Sequence, residues 1–199
     1  MKTIEQLKII EKKISQLRKL DKTFSVFGSE EHKYKFYSKI SKKEVIAFEN
    51  KHGITLPDSY REFILKFGNS GCGPNYGLLK LETGILDIPH YPDESEIINL
   101  SNEFRFDTFW NLEDYPDEDY QKWEDEYFKP KWSDGMLRIS HEGCGYFANI
   151  IITGKERGNI WIDARASDGG IYPVNYHKGK EKTNFIEWYN NWLDKSLEK

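Results

Sequence analysis

The order of helical and extended patterns along the chain most constrains its fold. Apolar residues at helical spacing fill much of the first third and return at the C-terminus, whereas residues 136–174 form short β-branched and aromatic runs separated by turns. Helical segments do not alternate with these strands, as they would in a parallel sheet. The pattern therefore predicts an α+β fold with a central, mostly antiparallel sheet flanked by helices.

Four amphipathic segments define the predicted helices. They cover residues 3–20, residues 41–52, the segment after Pro57 and the segment from residue 185 to 193. Ser41 with Glu44, and Asn184 with Glu187, fit capping boxes in which each side chain satisfies a free backbone N–H of the other residue. Gly53 follows the second segment, where a left-handed C-terminal cap favours glycine.

The remaining elements are predicted from shorter patterns. Strands are expected over residues 76–81, 136–140, 146–153, 159–163 and 171–174. Within residues 83–133, helical pieces are expected around residues 94–104 and 117–127.

The length of 199 residues predicts one domain. We expect that domain to span residues 1–199, with a helical N-terminal extension over 1–40 and an acidic insertion at about 83–133. No apolar run is long enough to cross a membrane, and the first 20 residues do not resemble a signal peptide. With only two cysteines, the expected compartment is the cytoplasm.

Charge is distributed unevenly along the chain. The formal net charge is −4, yet residues 91–128 hold thirteen acidic and two basic residues, a net charge of −11. Such a segment repels nucleic acid and attracts basic partners, and it is also typical of a solvated surface insertion.

The stretch from Leu112 to Phe128, LEDYPDEDYQKWEDEYF, alternates acids with aromatic side chains. Carboxylates can steer a basic partner while aromatics supply buried contact area. The alternative is that the aromatics pack the insertion onto the core. The predicted partner-binding residues are Glu113, Asp114, Tyr115, Asp117, Glu118, Asp119, Tyr120, Trp123, Glu124, Asp125 and Glu126.

No pattern in the chain predicts catalysis, a metal site or a cofactor site. His141, Glu142 and Cys144 are neighbours in HEGCG, but a Cys–His pair requires a geometry that proximity in a turn does not establish. The five histidines lack ligand spacing. We interpret this motif as a structural turn and predict that the chain is not an enzyme, with a His141–Cys144 enzyme as a minor alternative.

Two segments resemble the SUKH superfamily, which includes the fungal Smi/Knr cell-wall regulators and many bacterial immunity proteins. The first is SKKEVIAFENKHGITLPDSYREFILKFGNSGCGPNYGLLKL over residues 41–81. The second, LRISHEGCGYFANIIITGKERGNIWID, resembles the family's strand, Gly-Cys-Gly turn and hairpin, and residues 185–193 resemble its closing helix. The long N-terminal helix, the acidic insertion and Phe67-Gly68 before Asn69 depart from the family pattern.

The resemblance implies a central antiparallel sheet flanked by helices, and it implies no catalytic residues. Bacterial members bind and block a cognate toxin, often a nuclease. The first hypothesis is therefore an immunity protein (antitoxin) of a polymorphic toxin system. Its expected partner is a toxin with a basic surface, and we expect it to bind neither nucleic acid nor a membrane. The alternative is a regulatory or scaffold module of the same fold that binds a host protein or a small ligand.

Overall fold

The computed structural model describes residues 3–87, 96–112, 120–176 and 182–198. The helices in these ranges are α1 (Thr3–Leu20), α2 (Ser29–His32), α3 (Lys42–His52), α4 (Asp58–Phe67), α5 (Leu81–Gly84), α6 (Tyr120–Tyr127) and α7 (Phe185–Leu197). The strands are β1 (Phe36–Tyr37), β2 (Ser70–Gly71), β3 (Met136–Gly143), β4 (Tyr146–Ile151), β5 (Ile160–Asp163) and β6 (Ile171–Pro173). Short 3-10 helices cover Pro130–Ser133 and Arg165–Ser167.

The strands form an antiparallel meander with a small second sheet at one side. β3, β4, β5 and β6 pair in sequence order, and β1 pairs with β2. Leu78 links the two sheets, because it forms bridges to both Gly71 and Ser140. At the far side, Trp110 of the insertion pairs with Ile171 of β6. The predicted α+β fold with a mostly antiparallel sheet is confirmed.

The two faces of the meander are covered by different parts of the chain. Side chains alternate between the faces of a strand, so Leu137 and Ile150 join the main core beneath α1, α4 and α7. Met136 and Trp161 point to the opposite face, where they pack against Phe104 in a second buried cluster. A few aromatic side chains of the described part of the insertion therefore cover the second face, while most of its described residues remain at least partly exposed.

Local sequence signals account for the main helices. Ser41 and Glu44 form the predicted capping box of α3, and Asn184 and Glu187 form that of α7. Gly53 ends α3 in the left-handed region at φ 64°, as predicted. These helices are specified by contacts within a few residues, which is why the sequence patterns find them.

Two predicted elements differ in the structure. No helix covers residues 96–104: Ile97 instead bridges to Leu86, and the Ile98 N–H donates to the carbonyl of Ile85 at 2.8 Å. The predicted strand over residues 76–81 is reduced to the bridges of Leu78, and α5 begins at Leu81. In both places a long-range backbone partner decides the conformation.

Tyr34 and Asp21 fix the segment between α1 and β1. Tyr34 is fully buried, and its hydroxyl donates to Asp21 Oδ2. The backbone amides of Ser25 and Val26 donate to the same carboxylate at 2.8 and 3.1 Å. Burial alone would raise the pKa of Asp21, but these hydrogen bonds outweigh it and lower that pKa from 3.8 to about 2.

We expect this carboxylate to make folding stability depend on acid pH. Because the pKa of Asp21 is lower in the folded chain, its stabilisation is present above about pH 4 and is lost as pH falls toward about 2. In urea titrations followed by tryptophan fluorescence, Asp21→Asn should lose less free energy of unfolding over that interval than the native chain. Tyr34→Phe, which removes one donor, should fall between them; parallel losses in all three proteins would contradict the assignment.

Candidate functional site

A stack of aromatic rings organises the described part of the insertion. Tyr120, Trp123 and Tyr127 lie on one face of α6, at spacings of three and four residues. The ring centroids of Trp123 and Tyr127 are 4.6 Å apart, and those of Tyr120 and Trp123 are 5.8 Å apart. Trp110 continues the stack between Tyr127, at 5.8 Å, and Trp132, at 4.4 Å. The helix is thereby joined to the segments before and after it.

The predicted aromatic contacts divide into buried and exposed side chains. Trp123 is 5% exposed, which agrees with the alternative that the aromatic side chains pack the insertion onto the core. Tyr120 is 55% exposed and lies at the open end of the stack. Two further exposed aromatics, Phe128 at 43% and Phe109 at 61%, lie on the insertion but were not among the predicted site residues. The sequence signal for Phe109 was the aromatic density of FRFDTFW.

The described acidic residues of the site also differ in environment. Asp125 is exposed, whereas Glu124 and Glu126 are half-buried. Glu126 accepts from Lys129 at 2.6 Å and also pairs with Lys131. These lysines lower the pKa of Glu126. Its charge is therefore partly neutralised within the chain.

The other predicted residues lie outside the described part of the chain. They are Glu113, Asp114, Tyr115, Asp117, Glu118 and Asp119. Their placement in the site stays a prediction from the sequence. We use the name acidic–aromatic surface for the described residues Tyr120, Glu124, Asp125 and Phe128, which lie on α6 or directly after it.

A buried ion network joins this surface to the sheet. The Arg165 guanidinium donates to Asp163 through Nε at 2.9 Å and Nη2 at 2.8 Å, and Nη1 donates to the Tyr127 carbonyl at 3.1 Å. Arg138 contacts Asp163 at 3.2 Å and Asp87 at 2.5 Å. Burial would raise the pKa of Asp163, but Arg165 and Arg138 lower it. The end of α6 is thus held by Arg165, whose charge is paired with the buried carboxylates of Asp163 and Asp87.

The HEGCG motif ends β3 and forms the turn to β4. Gly143, Cys144 and Gly145 all have positive φ, at 100°, 51° and 78°, which glycine adopts at little cost. His141 stacks on Tyr76 with centroids 5.6 Å apart and also contacts Phe147. The other cysteine, Cys72, is buried, and burial raises the pKa of its thiol to about 12. The turn geometry fits the structural interpretation of the motif.

Within the described ranges, no group of three or more His, Cys, Asp or Glu side chains is arranged to hold a metal ion. None of the helices described is both long enough and apolar enough to span a membrane. What the acidic–aromatic surface offers chemically is charge and apolar contact area on a helix whose buried side packs against Trp110. Those are the components of a protein-binding site.

Comparison with known proteins assigns the chain to a family. The model of the SMI1 / KNR4 family (SUKH-1) matches residues 39–191, which include α3, α4, the whole meander and most of α7. Searches of curated proteins and of solved structures gave no significant match. The family match covers more than half of the chain and confirms the predicted resemblance. This chain belongs to the SMI1 / KNR4 (SUKH-1) family.

Proposed function

We propose that this chain is a non-catalytic immunity protein of the cytoplasm that neutralises a cognate bacterial toxin by binding it directly. The observation that carries the proposal is the acidic–aromatic surface, in which exposed Tyr120 and Phe128 accompany the carboxylates of Glu124 and Asp125. The SUKH-1 family membership supports a binding role over a catalytic one.

The charge of the surface favours a basic toxin. Nuclease active sites are basic because they bind phosphates. A carboxylate-rich surface is complementary to such a site, and the net charge of −11 over residues 91–128 speeds the encounter with it. Burial of Tyr120 and Phe128 in the complex would then supply affinity, as aromatic contacts do in many interfaces.

The packing of α6 is the second physical support for this proposal. The buried side of α6 stacks on Trp110, and the Tyr127 carbonyl is held by Arg165. Because this surface is already held in place, it loses little conformational entropy when it binds a partner. The same aromatic stretch therefore serves both alternatives raised from the sequence, with Trp123 packing inward and Tyr120 facing outward.

Co-expression with toxins tests this function. The chain is produced together with each toxin domain encoded beside its gene, and growth rescue and co-purification are measured. We expect one toxin to be neutralised and to form a stable complex with the chain. An inactive toxin variant provides the control for complex formation without selection for survival.

Two outcomes would contradict the proposal. The first is that no neighbouring toxin is neutralised, which would favour a regulatory or scaffold module that binds a host protein or a small ligand. The second is growth rescue without a complex, which would indicate that protection does not act through direct binding.

A further inference from the structure

A basic groove lies at the sheet edge formed by β1. Its volume is about 680 Å³, and Ile14, Phe36 and Phe67 provide apolar contacts within it. Its charged lining consists of five basic residues and one acidic residue, namely Arg18, Lys33, Lys35, Lys39, Lys66 and Glu11. A groove with this charge is unexpected in a chain whose net charge is −4.

Partners within the chain already engage three of the five basic side chains. Arg18 Nε donates to the Tyr34 carbonyl at 2.8 Å, and Lys39 donates to the Phe67 carbonyl at 3.3 Å. Lys66 forms an ion pair with Glu11 at 2.8 Å. Lys33 and Lys35 are exposed, and their ammonium groups form no ion pair or hydrogen bond with any residue that the structure describes. These two lysines are therefore available to an incoming anion.

The segment that carries the two lysines is fixed in place. Tyr34 lies between them, fully buried, and binds Asp21 through its hydroxyl and Arg18 through its carbonyl. Because the backbone of this segment is already held, ligand binding has to order only the two lysine side chains and not the segment that carries them.

The groove and the acidic–aromatic surface lie at opposite edges of the sheet. β1 forms one edge, and Trp110 of the insertion pairs with β6 at the other. Lys33, Lys35 and Phe36 also precede residue 39, where the family match begins. The groove is therefore a separate surface, built largely by the N-terminal extension, and it does not fit the basic partner proposed for the other edge.

We propose that this groove binds an acidic, extended segment of a partner protein. The apolar floor can contact apolar side chains of such a segment, and Lys33 and Lys35 can pair with its carboxylates. Apolar and acidic side chains would alternate along the extended peptide. β1 is an edge strand, and such edges leave main-chain groups open to pairing with an added strand.

A protein segment fits the groove better than single-stranded nucleic acid. Nucleic acid sites combine a basic track with a series of exposed rings on which bases stack. Here Tyr37 is 43% exposed, but Phe67 is 8% exposed and serves as floor. A long polyanion would also be repelled by the net negative charge of the chain as a whole.

Fluorescence anisotropy with defined probes tests this assignment. The first probe is a short labelled peptide in which glutamate alternates with leucine, the second replaces glutamate by glutamine, and the third is oligouridylate of similar length. We expect the glutamate peptide to bind most tightly, and its affinity to fall with added salt. Lys33→Glu/Lys35→Glu should weaken that binding by at least about tenfold.

A matched variant separates the groove from net charge. Lys42→Glu/Lys43→Glu makes the same charge change at exposed positions outside the groove lining, and it should change the affinity by less than about twofold. Equal effects of the two variants, absence of peptide binding, or tighter binding of oligouridylate would each overturn the proposal. Sedimentation could also overturn the proposal. If the native chain self-associates and Lys33→Glu/Lys35→Glu makes it monomeric, the groove binds a second copy of the chain.

Discussion

Replacing Arg165 with methionine should cost about 3–5 kcal/mol of folding free energy, the largest single-site effect we expect. The variant retains much of the side-chain volume but leaves Asp163 and Asp87 to share Arg138 alone. A buried carboxylate that loses its partner destabilises the fold, because no favourable interaction then offsets its loss of hydration. Urea unfolding followed by tryptophan fluorescence measures the loss.

Arg157→Met is the matched control for this prediction. Arg157 is exposed, and its Nη2 donates to the carbonyls of Thr55 and Leu56 at 3.0 Å. We expect a loss below about 1 kcal/mol there, because water can replace these bonds. The double variant Asp163→Asn/Arg165→Met should lose less than the sum of its two single variants, since the strongest unpaired charge is removed with its partner. Similar losses at Arg165 and Arg157, or strict additivity, would contradict a coupled buried network.

The Arg165 network also links stability to the proposed site. Arg165 holds the Tyr127 carbonyl, and Tyr127 in turn stacks on Trp123 and Trp110. Loss of Arg165 should therefore loosen α6 before it unfolds the meander. Amide hydrogen exchange would detect this as faster exchange in α6 than in β4.

The ion network marks where prediction from the sequence ends. Asp87, Arg138 and the neighbouring pair Asp163 and Arg165 lie far apart along the chain, and no spacing rule relates these three places. They meet because β3 and β5 place Arg138 and Asp163 on the same face of the sheet. Their pairing depends on the register of the strands, and the hydrophobic patterns in the sequence predict the strand positions only approximately.

Helix ends that are determined by residues close in the sequence could be predicted, because they do not depend on strand register. The capping box of Ser41 with Glu44 and the αL cap at Gly53 need only neighbouring residues. The helix expected over residues 94–104 is absent from its described part because Ile97 forms a β-bridge to Leu86. Composition identified the acidic insertion as distinctive, but it could not show that Trp123 packs inward while Tyr120 remains exposed.

Charge reversal on the acidic–aromatic surface should produce the largest functional effect. In Glu124→Lys/Asp125→Lys, two carboxylates that would steer a basic toxin become repulsive. We expect the association rate with the toxin identified by co-expression to fall by about 10–100-fold at low salt. The rate should also become less sensitive to salt, because the attraction that salt screens has been removed. Biolayer interferometry over a series of salt concentrations measures both quantities.

The comparison that decides this prediction is a second reversal of the same size elsewhere. Glu30→Lys/Glu31→Lys changes two exposed carboxylates of α2, outside the insertion, and should reduce the association rate by less than about threefold. Tyr120→Ala should act differently, because removing an exposed aromatic contact raises the dissociation rate and leaves steering intact. If both reversals slow association equally, only net charge matters. If neither does, the toxin binds another surface and the site assigned here is wrong.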